Sequence, residues 1–153
     1  MRAANLMVAV AFVVGCSAAD GAPQLRLDRT ACARCGMLVS ELAGAAAYRT
    51  ASGETRAYDD LACLLDDLSE GVGRDVDPAT IWVYDRLSGE PVRASEATFL
   101  HSSQWLTPMG GGLAAFADPA AAAANAESSG SEAQRWADLV SRSAQVLARE
   151  VER

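Results

Sequence analysis

The spacing of apolar residues predicts a strand, strand, helix, strand unit in the first half of the chain. Segments 45–50 and 54–58 flank Ser52-Gly53, a pair typical of a hairpin turn. Apolar residues then recur at i, i+3, i+4 and i+7 over a helix at residues 60–70. Asp59 and Asp60 precede this helix as possible caps, and Gly71 ends it. Residues 80–84, rich in aromatic and β-branched side chains, predict a further strand.

A weaker copy of this pattern follows. Ser-Gly-Glu at residues 52–54 returns at residues 88–90, and each copy is followed shortly by Arg-Ala, which indicates an internal repeat. Residues 97–101 fit either a strand or a short helix, and residues 113–116 predict a strand. Asp118 and Pro119 then predict the start of an alanine-rich helix. No clear closing strand comes after that helix.

The C-terminal segment predicts one more helix, expected to pack on the domain or to contact a partner. Residues 128–130 form a linker, and Ser131 and Gln134 have the spacing of a capping box. Beyond them, large apolar residues mark one face of an amphipathic helix: Trp136, Leu139, Val140, Leu147 and Val151.

The N-terminus predicts an export signal over residues 1–15. Arg2 is its only charge, and the apolar run of residues 6–14 is too short to span a bilayer. Gly15-Cys16 at its end resembles the bacterial lipobox, in which the signal is cut before a cysteine that then carries lipid. Residues 16–24 would then be a lipidated tether. The alternative is a plain secretory signal that ends by chance at Cys16.

The charge balance disfavours nucleic acid as a partner. The chain has 13 basic residues, all of them arginine, against 20 acidic ones, and its net charge is −7. Removal of residues 1–15 takes away Arg2 and no acid, and so changes the net charge to −8. A chain this acidic is repelled by phosphate backbones.

Three thiols remain if Cys16 carries lipid, and an odd number cannot all pair within one chain. Cys32 and Cys35 form a C-x-x-C motif in the stretch ACARCGM, and Cys63 lies in the first predicted helix. A C-x-x-C pair suggests a thiol–disulfide oxidoreductase, but its first cysteine then belongs at a helix N-terminus, and Gly36 would break a helix there. A structural zinc site has four ligands, usually two C-x-x-C pairs or one such pair with added histidines. This chain has one C-x-x-C pair, Cys63 and a single histidine, so a zinc site is a poor match. A disulfide that joins Cys35 to Cys32 or Cys63 stays open.

Two methionines favour a copper site over the interpretations that use the cysteines alone. Met1 and Met7 fall in the export signal, and Met37 and Met109 both lie in loop-like sequence beside glycines, not on an apolar face. Thiolates and thioethers together select Cu(I). Cys35, Met37 and Met109 are therefore candidate ligands, with Cys32 and His101, the single histidine, as further candidates.

Cys63 has a different expectation. Its helical position places it about 200° from Leu61, on the side of Asp59, Asp66 and Glu70. Carboxylates nearby would raise its pKa and make it a poorer ligand. We therefore interpret Cys63 as a structural residue or a disulfide partner.

The ordered motifs resemble the NosL family of copper-binding lipoproteins. These motifs are the lipobox cysteine, CARCGM, YDDLACLL, IWVYDRLSGE and TPMGGGLAAF, over residues 16–125. The resemblance implies an α+β fold of two small related units, within a copper-binding domain at residues 25–126 that divides into 25–86 and 87–126. Residues 127–153 would then form the linker and C-terminal helix.

The resemblance also implies a function. It implies Cu(I) bound through Cys35, Met37 and Met109 and passed, beside a membrane transporter complex, toward maturation of nitrous oxide reductase or a similar copper enzyme. We therefore expect an exported, non-catalytic carrier, anchored through Cys16 on the periplasmic side of a bacterial membrane, the outer membrane before the inner. The alternatives are an oxidoreductase that uses Cys32 and Cys35, and an adaptor lipoprotein with paired cysteines.

Overall fold

The computed structural model describes residues 21–73 and 75–151, apart from the side chains of residues 147, 148, 150 and 151. It confirms the α+β class. The strands are β1 (Ala46–Arg49), β2 (Thr55–Tyr58), β3 (Trp82–Tyr84), β4 (Pro91–Arg93), β5 (Thr98–His101) and β6 (Leu113–Phe116). The helices are α1 (Leu61–Ser69), α2 (Pro119–Ser129) and α3 (Trp136–Val151), with a short 3-10 helix at Pro78–Thr80.

The first unit has the predicted order of strand, strand, helix and strand. β1 pairs with β2 on one side and with β3 on the other, both antiparallel, so that Ala46 faces Tyr58 and Val83. The hairpin turns at Gly53, whose φ of +83° suits glycine. β4, which the sequence pattern did not predict, follows the second Ser-Gly-Glu turn and extends this sheet in the order β2-β1-β3-β4.

The second unit contains two strands followed by a helix. Residues 98–101 form a strand, and β5 pairs antiparallel with β6 before α2 begins behind the Asp118 cap. In place of a full closing strand after α2, a single β-bridge joins Phe99 and Gln134. In this bridge each backbone N–H donates to the other residue's carbonyl at 2.9 Å.

This bridge overturns the predicted capping box. Gln134 is extended backbone beside β5, and α3 begins only at Trp136. The Ser131 hydroxyl donates to the His101 carbonyl at 2.7 Å. Residues 131–134 therefore fasten the chain to β5 before the last helix starts.

Asp85 links the two units. It forms a parallel bridge with Ala115 of β6, and its buried carboxylate accepts hydrogen bonds from the Ala117 N–H at 2.8 Å and the Ser88 N–H at 2.9 Å. The hydrogen bond from Ala117 joins the two sheets, and the hydrogen bond from Ser88 closes the Ser88-Gly89 turn. One carboxylate thus fixes the relative position of β3 and β6.

The core lies between the first sheet and the helices α1 and α3. Tyr48, Tyr58 and Leu64 are buried with Trp136 and Leu139 of α3, and the Phe99 and Trp136 rings lie 5.7 Å apart. Cys63 belongs to this core and is only 2% exposed. Its sulfur atom lies within 4.8 Å of a carboxylate oxygen of Asp59, on the side of α1 that its helical position predicted. Cys63 is buried because other parts of the chain cover α1 beyond its leucine face.

Among the described residues, no helix is long and apolar enough to cross a membrane. The predicted export signal, residues 1–15, and the predicted lipidation site, Cys16, lie outside the described residues.

Candidate metal centre

The motif ACARCGM folds into a tight turn that buries one of its sulfur-bearing residues and exposes the other two. Ala31 and Leu38 form an antiparallel bridge, and the Cys32 N–H donates to the Met37 carbonyl at 2.7 Å. Gly36 takes φ +77°, and its N–H donates to the Cys32 carbonyl at 3.0 Å. Cys32 is buried as a result, while Cys35 and Met37 face solvent. Neither cysteine lies at a helix N-terminus, as a thioredoxin-like pair would require.

Arg34 fastens this turn to α1. Its guanidinium donates to Asp67 at 2.9 Å and to Glu70 at 2.7 Å, and it lies 3.4 Å from Asp66. The hydrogen bond from Arg34 lowers the pKa of Glu70. A forked guanidinium holds geometry better than a single point charge. Arg34 therefore ties the turn to the C-terminal end of α1.

Four potential metal ligands meet where the turn contacts α1. The sulfur atoms of Cys32, Cys35 and Cys63 and a carboxylate oxygen of Asp59 all lie within 4.8 Å of one another. The Cys35 thiol donates to Asp59 at 3.5 Å. Asp59 is 1% exposed and both inner thiols are buried, so Cys35 is the exposed member of the cluster. All three described cysteines are free.

Burial changes the acidity of the two inner thiols. It raises the pKa of Cys63, and the neighbouring Cys32 raises it further. Burial also raises the pKa of Cys32, with a contribution from its hydrogen bond to Asp59. Both thiols are therefore protonated at neutral pH, and the expected increase in the pKa of Cys63 is confirmed, with burial as the main cause.

Met109 reaches the same end of α1 from the second unit. Its N–H donates to a carboxylate oxygen of Asp60 at 2.9 Å, while the other oxygen accepts from the Ala62 N–H at 2.8 Å as the helix N-cap. Asp60 is wholly buried, and it follows Asp59 in the chain. The Met109 side chain is 48% exposed, and that of Met37 is 47% exposed, so both thioethers remain accessible.

Two of the glycines after Met109 permit this close approach. A Cβ atom at Gly111 would lie 2.6 Å from the Cβ of Ala62, and one at Gly112 would collide with the carbonyl of Ser102. Gly112 also has φ +59°, which favours glycine. The loop can therefore lie against α1 only because side chains are absent there.

His101 ends β5 near this loop. Its side chain is exposed, and its Nε2 atom lies 3.6 Å from the position that a Gly112 Cβ would occupy. The histidine thus borders the Met109 loop. The structure gives no contact between His101 and the thiol cluster.

The structure adds residues that the sequence reasoning did not assign to the site. Asp59 and Asp60 were interpreted as caps, and Cys63 as a structural residue or a disulfide partner. The sequence signal available was YDDLAC itself, in which two acids precede a helical cysteine. The tertiary contact with ACARCGM was needed to give that signal a meaning.

Comparison with known families agrees with this geometry. The family model for NosL matches residues 25–144, which is most of the chain. The chain belongs to the NosL family. No curated protein matches it.

The NosL fold is also shared with a solved structure. The crystal structure of the copper chaperone NosL from Shewanella denitrificans superposes with a TM-score of 0.60 at 23% sequence identity. The match covers 76% of this chain and 92% of the other. At that identity the likeness concerns the fold.

Proposed function

We propose that this NosL-family chain is an exported carrier of Cu(I). The observation that carries the proposal is the meeting of two sulfur-bearing loops at one helix start. Cys35 lies against Asp59, and the Met109 backbone is tied to Asp60, the next residue. Cys35, Met37 and Met109 are the proposed ligands. His101 and Cys32 border them as further candidates.

The chemistry of these groups suits copper in its reduced state. A thiolate with thioethers selects Cu(I), and a neutral thioether binds weakly enough to be displaced. Asp59 adds a buried carboxylate, and a buried negative charge favours a nearby cation. Arg34, the cation of the same turn, donates instead to α1. A metal ion beside Cys35 would therefore compensate Asp59.

The exposure of the ligands fits transfer to an acceptor. Met37 and Met109 are about half exposed, and Leu106, three residues before Met109, is 93% exposed. Apolar surface beside a site is typical of a docking region. We propose that an acceptor's ligands displace the thioethers one at a time, so that copper is never free. The protein is then a carrier and not an enzyme, which agrees with the description of its structural neighbour as a copper chaperone.

The acceptor and the location complete the proposal. Copper would pass toward maturation of nitrous oxide reductase or a similar copper enzyme, beside a membrane transporter complex. Lipid on Cys16 would hold the chain on the periplasmic side of a bacterial membrane, with the outer membrane as the first choice. Support for these steps comes from family membership and from the sequence of residues 1–16.

An anaerobic Cu(I) competition titration tests the proposal. The full chain, reduced, is titrated against a chromogenic Cu(I) chelator beside its Cys35→Ser and Met109→Ala variants. We expect one-to-one binding that weakens about 10- to 100-fold in each variant. An oxidoreductase that uses Cys32 and Cys35 predicts instead that Met109→Ala is harmless. Binding indifferent to Met109 would therefore overturn the carrier proposal.

A further inference from the structure

Two buried thiols, Cys32 and Cys63, lie behind the three main proposed ligands, Cys35, Met37 and Met109, and Cys32 is also a further candidate ligand. Cys32 is 3% exposed and Cys63 is 2% exposed, and their sulfur atoms lie within 4.8 Å of each other and of Cys35. Their mutual contact contributes to the raised pKa of Cys63. A thiol pair in contact is more than a core requires, because a small apolar side chain fills the same space.

The oxidation state of the copper cargo suggests a function for the thiol pair Cys32 and Cys63. The soft ligands at the surface select Cu(I), but copper in an oxidising exported compartment is largely Cu(II). An ion that arrives at Cys35 as Cu(II) must gain one electron before it suits the site. The nearest electron donors are thiols, and two of them lie directly behind Cys35.

We infer that Cys32 and Cys63 form a reducing dithiol that converts incoming Cu(II) to Cu(I) at Cys35. The inference rests on the proposed copper cargo. In the step, two S–H bonds break, one S–S bond forms between Cys32 and Cys63, and two protons go to water. The two electrons reduce two Cu(II) ions to Cu(I). A dithiol reductant of the exported compartment would then return the disulfide to its two thiols for another round.

The geometry favours this pair over the other pairings. Cys35 is exposed and in contact with Asp59, and as the proposed ligand it must stay a free thiol for binding. Burial protects the inner thiols from oxidants in solution. Their sulfur atoms lie within 4.8 Å of the Cys35 sulfur, which is close enough for electron transfer to copper bound there. To form a bond of about 2.05 Å, the sulfur atoms must approach each other.

The test supplies the oxidised ion to the full chain. The protein is fully reduced and treated anaerobically with copper(II) sulfate. Loss of the Cu(II) electron paramagnetic resonance signal reports reduction, and peptide mapping after alkylation reports which cysteines are joined. We expect two Cu(II) ions reduced per chain, a linked Cys32–Cys63 peptide and an alkylated Cys35. Persistent Cu(II), a Cys32–Cys35 link or a link between chains through Cys35 would overturn the inference.

The rate of Cu(II) reduction in two variants tests the same inference. Cys63→Ala and Cys32→Ser should each slow the reduction at least about tenfold, because the intramolecular partner is gone. Cu(I) added directly to Cys63→Ala should still bind, which shows that the variant is folded. An unchanged reduction rate in both variants would contradict the inference. Failure of the proposed carrier function would appear separately, as Cu(I) binding that ignores Met109.

Discussion

The backbone N–H of Met109 donates to the buried carboxylate of Asp60 at 2.9 Å, across 49 positions of sequence. The same carboxylate caps α1 through the Ala62 N–H. One side chain therefore starts the helix of the first unit and holds the Met109 loop of the second, which carries a proposed copper ligand. Disruption of Asp60 should affect stability and copper binding together.

Replacement of Asp60 by alanine tests this double role. We expect a loss of about 0.5–2 kcal/mol from the cap and of about 1.5–3 kcal/mol from the charged hydrogen bond to Met109. Cu(I) affinity should fall about tenfold or more, as for other residues that support metal ligands. Asp118→Ala is the matched control, because Asp118 caps α2 through the Ala120 N–H and is not part of the site. If both variants bind copper like the unmodified chain, Asp60 does not position Met109.

The glycines after Met109 allow a prediction about backbone contact. Gly112→Ala should cost more than about 1–3 kcal/mol, because collision with the Ser102 carbonyl adds to the strain of a positive φ. Gly110→Ala is the control, since Gly110 has φ +70° but nothing within 4 Å of its Cβ position. It should show the strain alone. Equal melting temperatures for the two variants would argue against a closely packed loop.

Much of the fold follows from the sequence. The leucine stripe of α1, the Ser52-Gly53 turn and the Asp118 cap are local patterns, and the structure has an element at each. Two features depend on tertiary contacts instead. Gln134 had the spacing of a capping residue but pairs with Phe99, and Cys63 pointed away from the leucines but is covered by the turn at Cys32. Local spacing carries no information about what covers the other side of a helix.

The candidate site could be predicted only in part, because some of its residues are brought together by tertiary contacts. Cys35, Met37 and Met109 were predicted as ligands because methionines in loops, away from an apolar face, are not needed to fill the core. Asp59 and Asp60 were not assigned to the site, because an acid before a helix is fully explained as a cap. Only the packing of two distant loops on that cap gives them a second role.

Burial predicts the order in which the thiols react. In the folded, reduced chain an alkylating reagent at limiting concentration should modify Cys35 before Cys32 and Cys63, because Cys35 is the exposed member of these three described cysteines. Cys32 and Cys63 should react only after unfolding, since burial both shields them and raises the pKa of each, which lowers the thiolate fraction. Mass spectrometry of the digested protein measures this order. Early modification of Cys63 would show that the inner pair is open to solvent.

Asp85 predicts how stability depends on pH. Burial alone would raise the pKa of Asp85, but hydrogen bonds from Ala117 and Ser88 outweigh burial and hold that pKa below its ordinary value of 3.8. A lowered folded pKa gives stability that is present above the unfolded value, near 3.8, and is lost as pH falls through the folded value.

Substitution of Asp85 should therefore remove stability at neutral pH. We expect Asp85→Ala to lose about 2–4 kcal/mol, since it leaves buried N–H groups of both units without partners. The variant should also show a weaker loss of stability below pH 4. Asp77→Ala, at an exposed cap, is the control. Denaturant unfolding at several pH values measures both effects, and parallel pH profiles for Asp85→Ala and the unmodified chain would contradict the assignment.

The carrier proposal requires that one Cu(I) ion is held by sulfur atoms from both units. X-ray absorption at the copper edge of the anaerobic, Cu(I)-loaded full chain measures the atoms bound to the ion. We expect a first shell of three sulfur atoms, and the loss of one of them in Met109→Ala. A first shell dominated by nitrogen or oxygen, or a sulfur shell unchanged in Met109→Ala, would show that the two units do not share the ion.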